Sequence, residues 1–354
     1  MTDGGTDATS ATDLLAAARS GDAVAFDVLV GPYRGELHAH CYRMLGSVQD
    51  AEDALQEALL GAWRGISGFE GRSSIRTWLY RITTNACVKL GERRPPRLLS
   101  IDRAPANPDV HQLGEFVFDG PWLEPYPSRF TETGTPSANP EARFEARERI
   151  ELAYVAALQH LPATQRAVLI LREVLAFSAA EVAGMLDSTI AAVNSALQRA
   201  RATMAQRVHG RSQQATLRSL GEHRQRELVQ TFVAAWERGD VPALLDLLVE
   251  DARFSMPPLP VWFDGRDAIA HFLHERMFET PWRFLPTSAN EQLAFAAYQW
   301  RSPEPGDLEG AVGPAFRLSA INVLTLRDDR IAEMAGFLDR GVFQAFGFPR
   351  EYPS

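Results

Sequence analysis

The stretch Asp50–Ile66, DAEDALQEALLGAWRGI, followed at Ser73–Arg94 by SSIRTWLYRITTNACVKLGERR, decides how this chain is read. Four acids and no base lie between Asp50 and Glu57, whereas eight bases face two acids between Arg64 and Arg97. In the first segment Leu55, Leu59, Ala62 and Ile66 recur at helical spacing, widened by Ala58 and Trp63, which predicts an amphipathic helix with Asp50, Asp53 and Glu57 on its wet face. The second segment predicts another helix, with Ile75, Leu79, Ile82 and Ala86 inward and Arg76, Trp78, Arg81, Asn85 and Lys89 on the remaining surface. Trp78 and Tyr80 beside arginines suit stacking of unpaired bases, with the cations on phosphates. Aromatics at such spacing more often pack in a core than serve as a platform for bases, so this pair alone does not decide function.

A second pattern lies in LPATQRAVLILREVLAFSAAEVAGMLDSTIAAVNSALQRARATMAQR, residues 161–207. It predicts a helix over Thr164–Val174, a short helix opened by a Ser178/Glu181 capping box, a turn at Asp187–Thr189 and a long helix capped by Ser188 or Thr189. With Val182, Ala183, Leu186, Ile190, Val193 and Leu197 inward, this is a helix-turn-helix pattern whose second helix suits the DNA major groove. From Ser188 to Arg211 there are four arginines, 199, 201, 207 and 211, and no acid. Those arginines suit phosphate contacts.

Together these blocks resemble the extracytoplasmic-function sigma factors of the sigma-70 family. LLAAARSGDAVAFDVLVGPY, CYRMLGSVQDAEDALQEALLGAW and FEGRSSIRTWLYRITTN are similar to region 2, and the 161–207 stretch to region 4. The resemblance implies that Asp50, Asp53, Gln56 and Glu57 bind the clamp helices of the beta-prime subunit of core RNA polymerase, with the beta flap as a further polymerase contact. It implies that Phe69, Arg72, Ser73, Arg76, Trp78, Arg81 and Asn85 serve the minus 10 element, the Phe69–Ser74 loop holding a flipped base. Ser188, Thr189, Ala192, Asn194, Ser195, Gln198, Arg199 and Arg201 are then expected at the minus 35 element, the arginines on phosphates. Asn194 and Ala196 depart from the lysine and arginine common in the family. Asp187 stands where glycine is usual, a change tolerable because aspartate adopts positive φ.

Residues 93–151 are rich in proline and small polar groups, including GTPSANP at 134–140, and predict an extended linker. Its aromatics Phe116, Phe118, Trp122, Tyr126 and Phe130, around WLEPYP, call for a docking surface, either on polymerase or on the protein's own domains. Its acids Glu115, Asp119, Glu124 and Glu132 suit a path that mimics nucleic acid.

Beyond Glu222 an amphipathic helix, RELVQTFVAAWERGD, precedes strand-like runs near Arg253–Met256 and over Leu293–Trp300, Phe316–Leu326 and Arg330–Leu338. GDVPALLDLLVEDARFSMPP, FDGRDAI and FxxFGFP resemble a SnoaL-like domain, an α+β cystatin-like cone with a pocket at its open end. Trp236, Phe254, Met256, Trp262, Phe272, Tyr298, Trp300 and Phe337 are the candidate lining, mostly apolar and suited to a small-molecule ligand or a partner. Asp251, Asp264, His271, His274 and Asp339 have no spacing that argues for acid–base catalysis. No catalytic residue, cofactor or metal is therefore assigned.

The 354 residues exceed the usual size of one core, so a multidomain chain is expected. Its parts are a disordered tail at 1–12, an all-α region 2 at 13–95, a linker at 96–140, an all-α region 4 at 141–211 and the cone at 222–354. The net charge of −9 suits a protein whose DNA affinity comes largely from its polymerase partner. Two cysteines without metal spacing and no membrane-length apolar run point to the cytoplasm. The expected function is a promoter-specific sigma factor whose C-terminal domain regulates it. The alternatives are a SnoaL-like enzyme tethered to DNA and a ligand-sensing helix-turn-helix regulator.

Overall fold

The computed structural model describes residues 11–118, 120–132, 150–208, 210–304 and 313–353. Most of the expected N-terminal tail, Asp119, GTPSANP and residues 141–149 lie outside the described residues.

The N-terminal part is a helical bundle of α1 (Ala11–Arg19), α2 (Ala23–Val30), α3 (Arg34–Leu45), α4 (Val48–Gly65) and α5 (Ile75–Gly91). Ser47 opens α4 by accepting from the Asp50 amide at 3.1 Å, and Ser74 opens α5 by accepting from Thr77 at 3.0 Å. Gly46 ends α3 at φ 70°, and a Cβ there would stand 2.9 Å from Leu123 and 3.1 Å from Gln159. That position therefore requires glycine both for its left-handed backbone and because the linker and the next helical part press on it.

A one-turn helix, α6 (Arg129–Glu132), lies within the expected linker. The second helical part comprises α7 (Leu152–Gln159), α8 (Ala163–Leu169, prolonged by a wide turn over Ile170–Val174), α9 (Ala179–Met185) and α10 (Ile190–Ala205). Arg166 joins the two bundles. Its guanidinium is buried and donates to the carbonyls of Met44, Gln159 and Leu161 and to the Gln159 side chain. Burial lowers its pKa to about 10.

The C-terminal part opens with α11 (Gln213–Arg238), broken at Gly221, then α12 (Val241–Asp246), β1 (Leu248–Ser255), β2 (Trp262–Asp264) and α13 (Arg266–Glu275). β3 (Trp282–Ala289), β4 (Gln292–Arg301), β5 (Ala315–Arg327), β6 (Arg330–Phe337) and α14 (Arg340–Phe346) complete it. The six strands run in the order β2-β1-β6-β5-β4-β3, with β1 and β6 parallel and the other neighbours antiparallel. Strands β2 and β3 are absent from the sequence reading. β3 contains Pro286, which argues against a central strand but is admissible here because β3 is an edge.

Alternation along the strands gives the sheet two apolar faces. Phe254, Phe295, Leu324 and Met334 face the side packed with α11 and α13. Ala294, Ala296, Ile321, Val323 and Phe337 belong instead to one continuous apolar cluster with the two helical bundles. The sheet thus has its back against the N-terminal parts.

Candidate nucleic-acid interface

On α4, Asp53, Gln56 and Glu57 are exposed one helical turn apart, followed by Leu60, also exposed. Asp50 corrects the sequence reading: it is 5% exposed and does not share that wet face. The chain after α5 folds back over the start of α4, so Arg97 donates to Asp50 at 2.9 and 2.5 Å and Arg94 donates to its other oxygen. Arg97 also reaches the Trp122 carbonyl at 3.0 Å and Glu124 at 3.2 Å. Glu124 accepts from the Val48 amide at 2.8 Å, and burial raises its carboxyl pKa against the opposing pull of Arg97. Removing one member of such a buried network typically costs about 3–5 kcal/mol, because its partner is left unpaired.

The α5 polar groups are engaged at several expected positions. Arg81 pairs with Asp187 at 3.0 Å, and Asn85 donates to the Met185 carbonyl at 3.3 Å. Met185 is the last residue of α9, and Asp187 belongs to the turn after it. Arg76 grips Glu36 with two parallel bonds of 3.0 Å while its guanidinium lies over Tyr80 and Phe177. The open choice at Tyr80 falls to core packing, and the reading of Phe69 needs correction. Tyr80 is wholly buried against His40 and Phe177 and presents no face to a base, and its hydroxyl pKa is pushed up by burial. Phe69 is 7% exposed, packed on Trp78 at 5.1 Å, so it anchors its loop rather than opening it. Arg72 and Ser73 are exposed, and Trp78 is half-buried.

The α9–turn–α10 unit is built as its caps predict. Ser178 and Glu181 exchange both bonds of a capping box, and these bonds lower the Glu181 pKa. Asp187 takes φ 46°, and Thr189 accepts from the Ala192 amide at 3.1 Å. Ser188, Thr189, Ala192, Asn194, Ser195, Gln198, Arg199 and Arg201 are all exposed. Arg199 donates to Ser195 at 2.7 Å, and Arg201 to Glu173 at 2.5 Å. Ile190 departs from its expected inward place. As the first residue after the cap it is 50% exposed, and the inner face starts at Val193.

The expected C-terminal pocket is not a common cavity. Trp236, Phe254, Met256 and Phe272 are core residues, with Trp236 stacked near Phe284 at 5.3 Å and Phe272 on Phe263 at 4.4 Å. Tyr298 and Phe337 belong to the opposite face: regular alternation along β4 puts Phe295 and Ala297 on one side and Ala296 and Tyr298 on the other, and Phe337 of β6 shares the side of Tyr298. Trp262 donates its indole N–H to Ala104 of the linker at 2.8 Å, and Trp300 lies outside at 40% exposure. Asp251 is engaged by Arg327 at 2.7 Å, and Asp339 caps α14 through the Gly341 amide. Among the described residues no group of three or more His, Cys, Asp or Glu is placed to hold a metal.

Sequence reasoning misses the residues that join the parts. WLEPYP docks on the protein itself: the Tyr42 hydroxyl donates to the Glu124 carbonyl at 2.7 Å, and the Tyr126 hydroxyl meets His38 Nδ1 at 2.7 Å. The β3–β4 turn, Asn290–Glu291, carries positive φ at both residues and inserts into this junction. Asn290 is fully buried and accepts from the Tyr126 amide at 2.8 Å. Its side-chain amide donates to the Tyr42 hydroxyl at 2.9 Å and the Ile150 carbonyl at 2.7 Å. Gln292 accepts from the Leu152 amide at 2.8 Å. The local signal for this hub is the polar SANEQ turn between two apolar strands, which marks a turn but not its target.

The comparisons with known proteins agree with this architecture. The family models Sigma-70 region 2, Sigma-70 region 4 and SnoaL-like domain match residues 29–94, 151–204 and 229–334. ECF RNA polymerase sigma factor SigG of Mycobacterium tuberculosis is 40% identical over 338 residues, covering 94% of this chain and 85% of that protein. SigM of the same organism is 32% identical over 202 residues, covering 57% and 86%. The crystal structure of the M. tuberculosis extracytoplasmic function sigma factor SigJ matches in fold, with a TM-score of 0.54 and 22% identity over 88% of this chain and 96% of that one. An acidic helix beside a basic one, a doubly capped helix-turn-helix and a six-stranded sheet backed onto both thus belong to one lineage: the chain is a member of the extracytoplasmic-function sigma factors of the sigma-70 family, carrying a C-terminal SnoaL-like domain.

Proposed function

We propose that this chain brings core RNA polymerase to a restricted set of promoters and that its C-terminal domain holds it in a resting state. In this reading Asp53, Gln56 and Glu57 meet the polymerase clamp in the cytoplasm. Arg72, Ser73, Arg76, Trp78, Arg81 and Asn85 serve the opened minus 10 element, and the exposed face of α10 reads minus 35. Asp50 joins the polymerase surface only after Arg94 and Arg97 release it. The β-flap contact falls to the second helical part.

The observation that carries the reading is the exposed row Asn194, Ser195, Gln198 and Arg199 on a helix opened by Thr189, the arrangement a major-groove reader needs. The regulatory part is supported by two contacts: Arg81 and Asn85 of α5 are engaged by Asp187 and Met185 of the second helical part, and Asn290 separately ties the C-terminal domain to the first bundle and the linker. The C-terminal interior is filled by aromatic rings, which favours a structural and regulatory role over turnover.

In vitro transcription with purified core polymerase tests the proposal. Changing Asp53→Lys together with Glu57→Lys is expected to remove polymerase association and transcript while leaving the melting temperature within a few degrees, since both side chains are exposed. Transcription at the wild-type level by this variant would discard the polymerase surface assigned here.

A further inference from the structure

Where the first bundle, the linker and the C-terminal domain meet there is a cavity of about 390 Å³. That volume lies in the range of small-molecule sites, which favour such junctions. Its walls include Arg94, Phe118, Trp122, Pro257, Phe337 and Val342. Apart from Phe337, none of the apolar residues expected to line the cone takes part, so this is a different place from the domain's own interior.

The polar groups on the wall differ in what they have left to offer. Arg97 is spent, with Nε and Nη2 on Asp50 and Nη1 on Trp122 and Glu124. Glu124 is held by Arg97 and the Val48 amide, and Asp339 accepts from the Gly341 amide. Arg94 gives only Nη1 to Asp50, and its side chain is 47% exposed. A guanidinium presents two carboxylate-binding edges, and the Nε/Nη2 edge of Arg94 has no partner among the described residues. An open cationic fork beside proline and aromatic walls selects for an acid with an apolar body.

We propose that this cavity binds a small amphipathic carboxylic acid, its carboxylate on Arg94 and its body against Phe118, Pro257 and Phe337. An acid bound there shares Arg94 with Asp50, so occupancy acts on the contact that buries Asp50. That coupling rests on the regulatory reading above, whereas the site itself does not.

Calorimetric titration of the full chain with 2-naphthoate, 2-naphthamide and 2-naphthylmethylamine tests the site without polymerase or DNA, so its failure is distinct from failure of promoter recognition. The acid is expected to bind saturably at one site, with the amide and amine on the order of tenfold weaker. Arg94→Met should weaken the acid about tenfold and Phe118→Ala severalfold, while Arg93→Met leaves it unchanged. These positions are exposed and Asp50 keeps Arg97, so folding persists and a thermal melt verifies it. Absence of binding at millimolar acid, equal binding of the amide, preference for the amine or indifference to Arg94→Met would each overturn the proposal.

Discussion

The two helices assigned to DNA are presented in opposite ways. The reading face of α10 stands clear of the rest of the molecule, with Asn194, Ser195 and Gln198 exposed. On α5, Arg81 and Asn85 are taken by Asp187 and Met185 just before α10, and Arg76 is taken by Glu36 and Phe177. Both helices have cations and both are amphipathic. What separates them is tertiary: the end of α9 and the turn before α10 engage polar groups of α5 and leave the α10 face open. In the proposed resting state the minus 35 contact is therefore available before the minus 10 contact is.

The strongest attack on that contrast is at Asn290. Replacing Asn290→Leu strands the Tyr126 amide and the Ile150 carbonyl, removes the bond the Tyr42 hydroxyl accepts, and places a γ-branched side chain at φ 54°. A loss of about 3 kcal/mol or more is expected. Binding of a single-stranded minus 10 oligonucleotide should then rise about tenfold, with duplex minus 35 binding unchanged, as read by fluorescence anisotropy on a promoter fragment selected from genomic DNA.

Acidification approaches the same junction from inside. Burial lowers the pKa of His40 to about 3 and also lowers that of His38, which faces Tyr126. A histidine kept neutral in the fold contributes stability that is complete above the unfolded value near 6.5 and is lost as pH falls below it. Between pH 6.5 and 5 His40 alone removes on the order of 2 kcal/mol. The melting temperature should drop over that interval, and His40→Asn should flatten the slope.

Arg199→Ala sharpens the open side of the comparison. It should weaken duplex binding severalfold and reduce the salt slope by about one, without moving the melting temperature, because the side chain is exposed. Asp187→Asn has the smallest expected effect. Its pair with Arg81 is exposed on both sides, so uncovering that one arginine should raise minus 10 binding only about twofold.

What was legible in the sequence is what local spacing controls. The stripe from Leu55 to Ile66, the Ser178/Glu181 box and the Thr189 cap each arise within a turn or two of chain, and the elements they announce are present. Asp50 was not legible, because its burial is decided by Arg97, 47 positions away. Asn290 answers to Tyr42 across 248 positions, beyond any periodicity. Tyr80 could not be decided from sequence, because an aromatic beside arginines looks alike whether its neighbour is a base or Phe177. The cone lining failed for a different reason: strand alternation divides those residues between the two faces of the sheet.

The sheet whose back rests on the helical bundles is joined to them by its own polypeptide. In the proposed resting state, a restraint tethered in this way has an effective concentration that does not depend on how much protein the cell makes. Raising expression adds sigma factor and restraint in equal number, so synthesis alone cannot outrun it. Activity of such a molecule has to be set by what shifts the equilibrium within each copy.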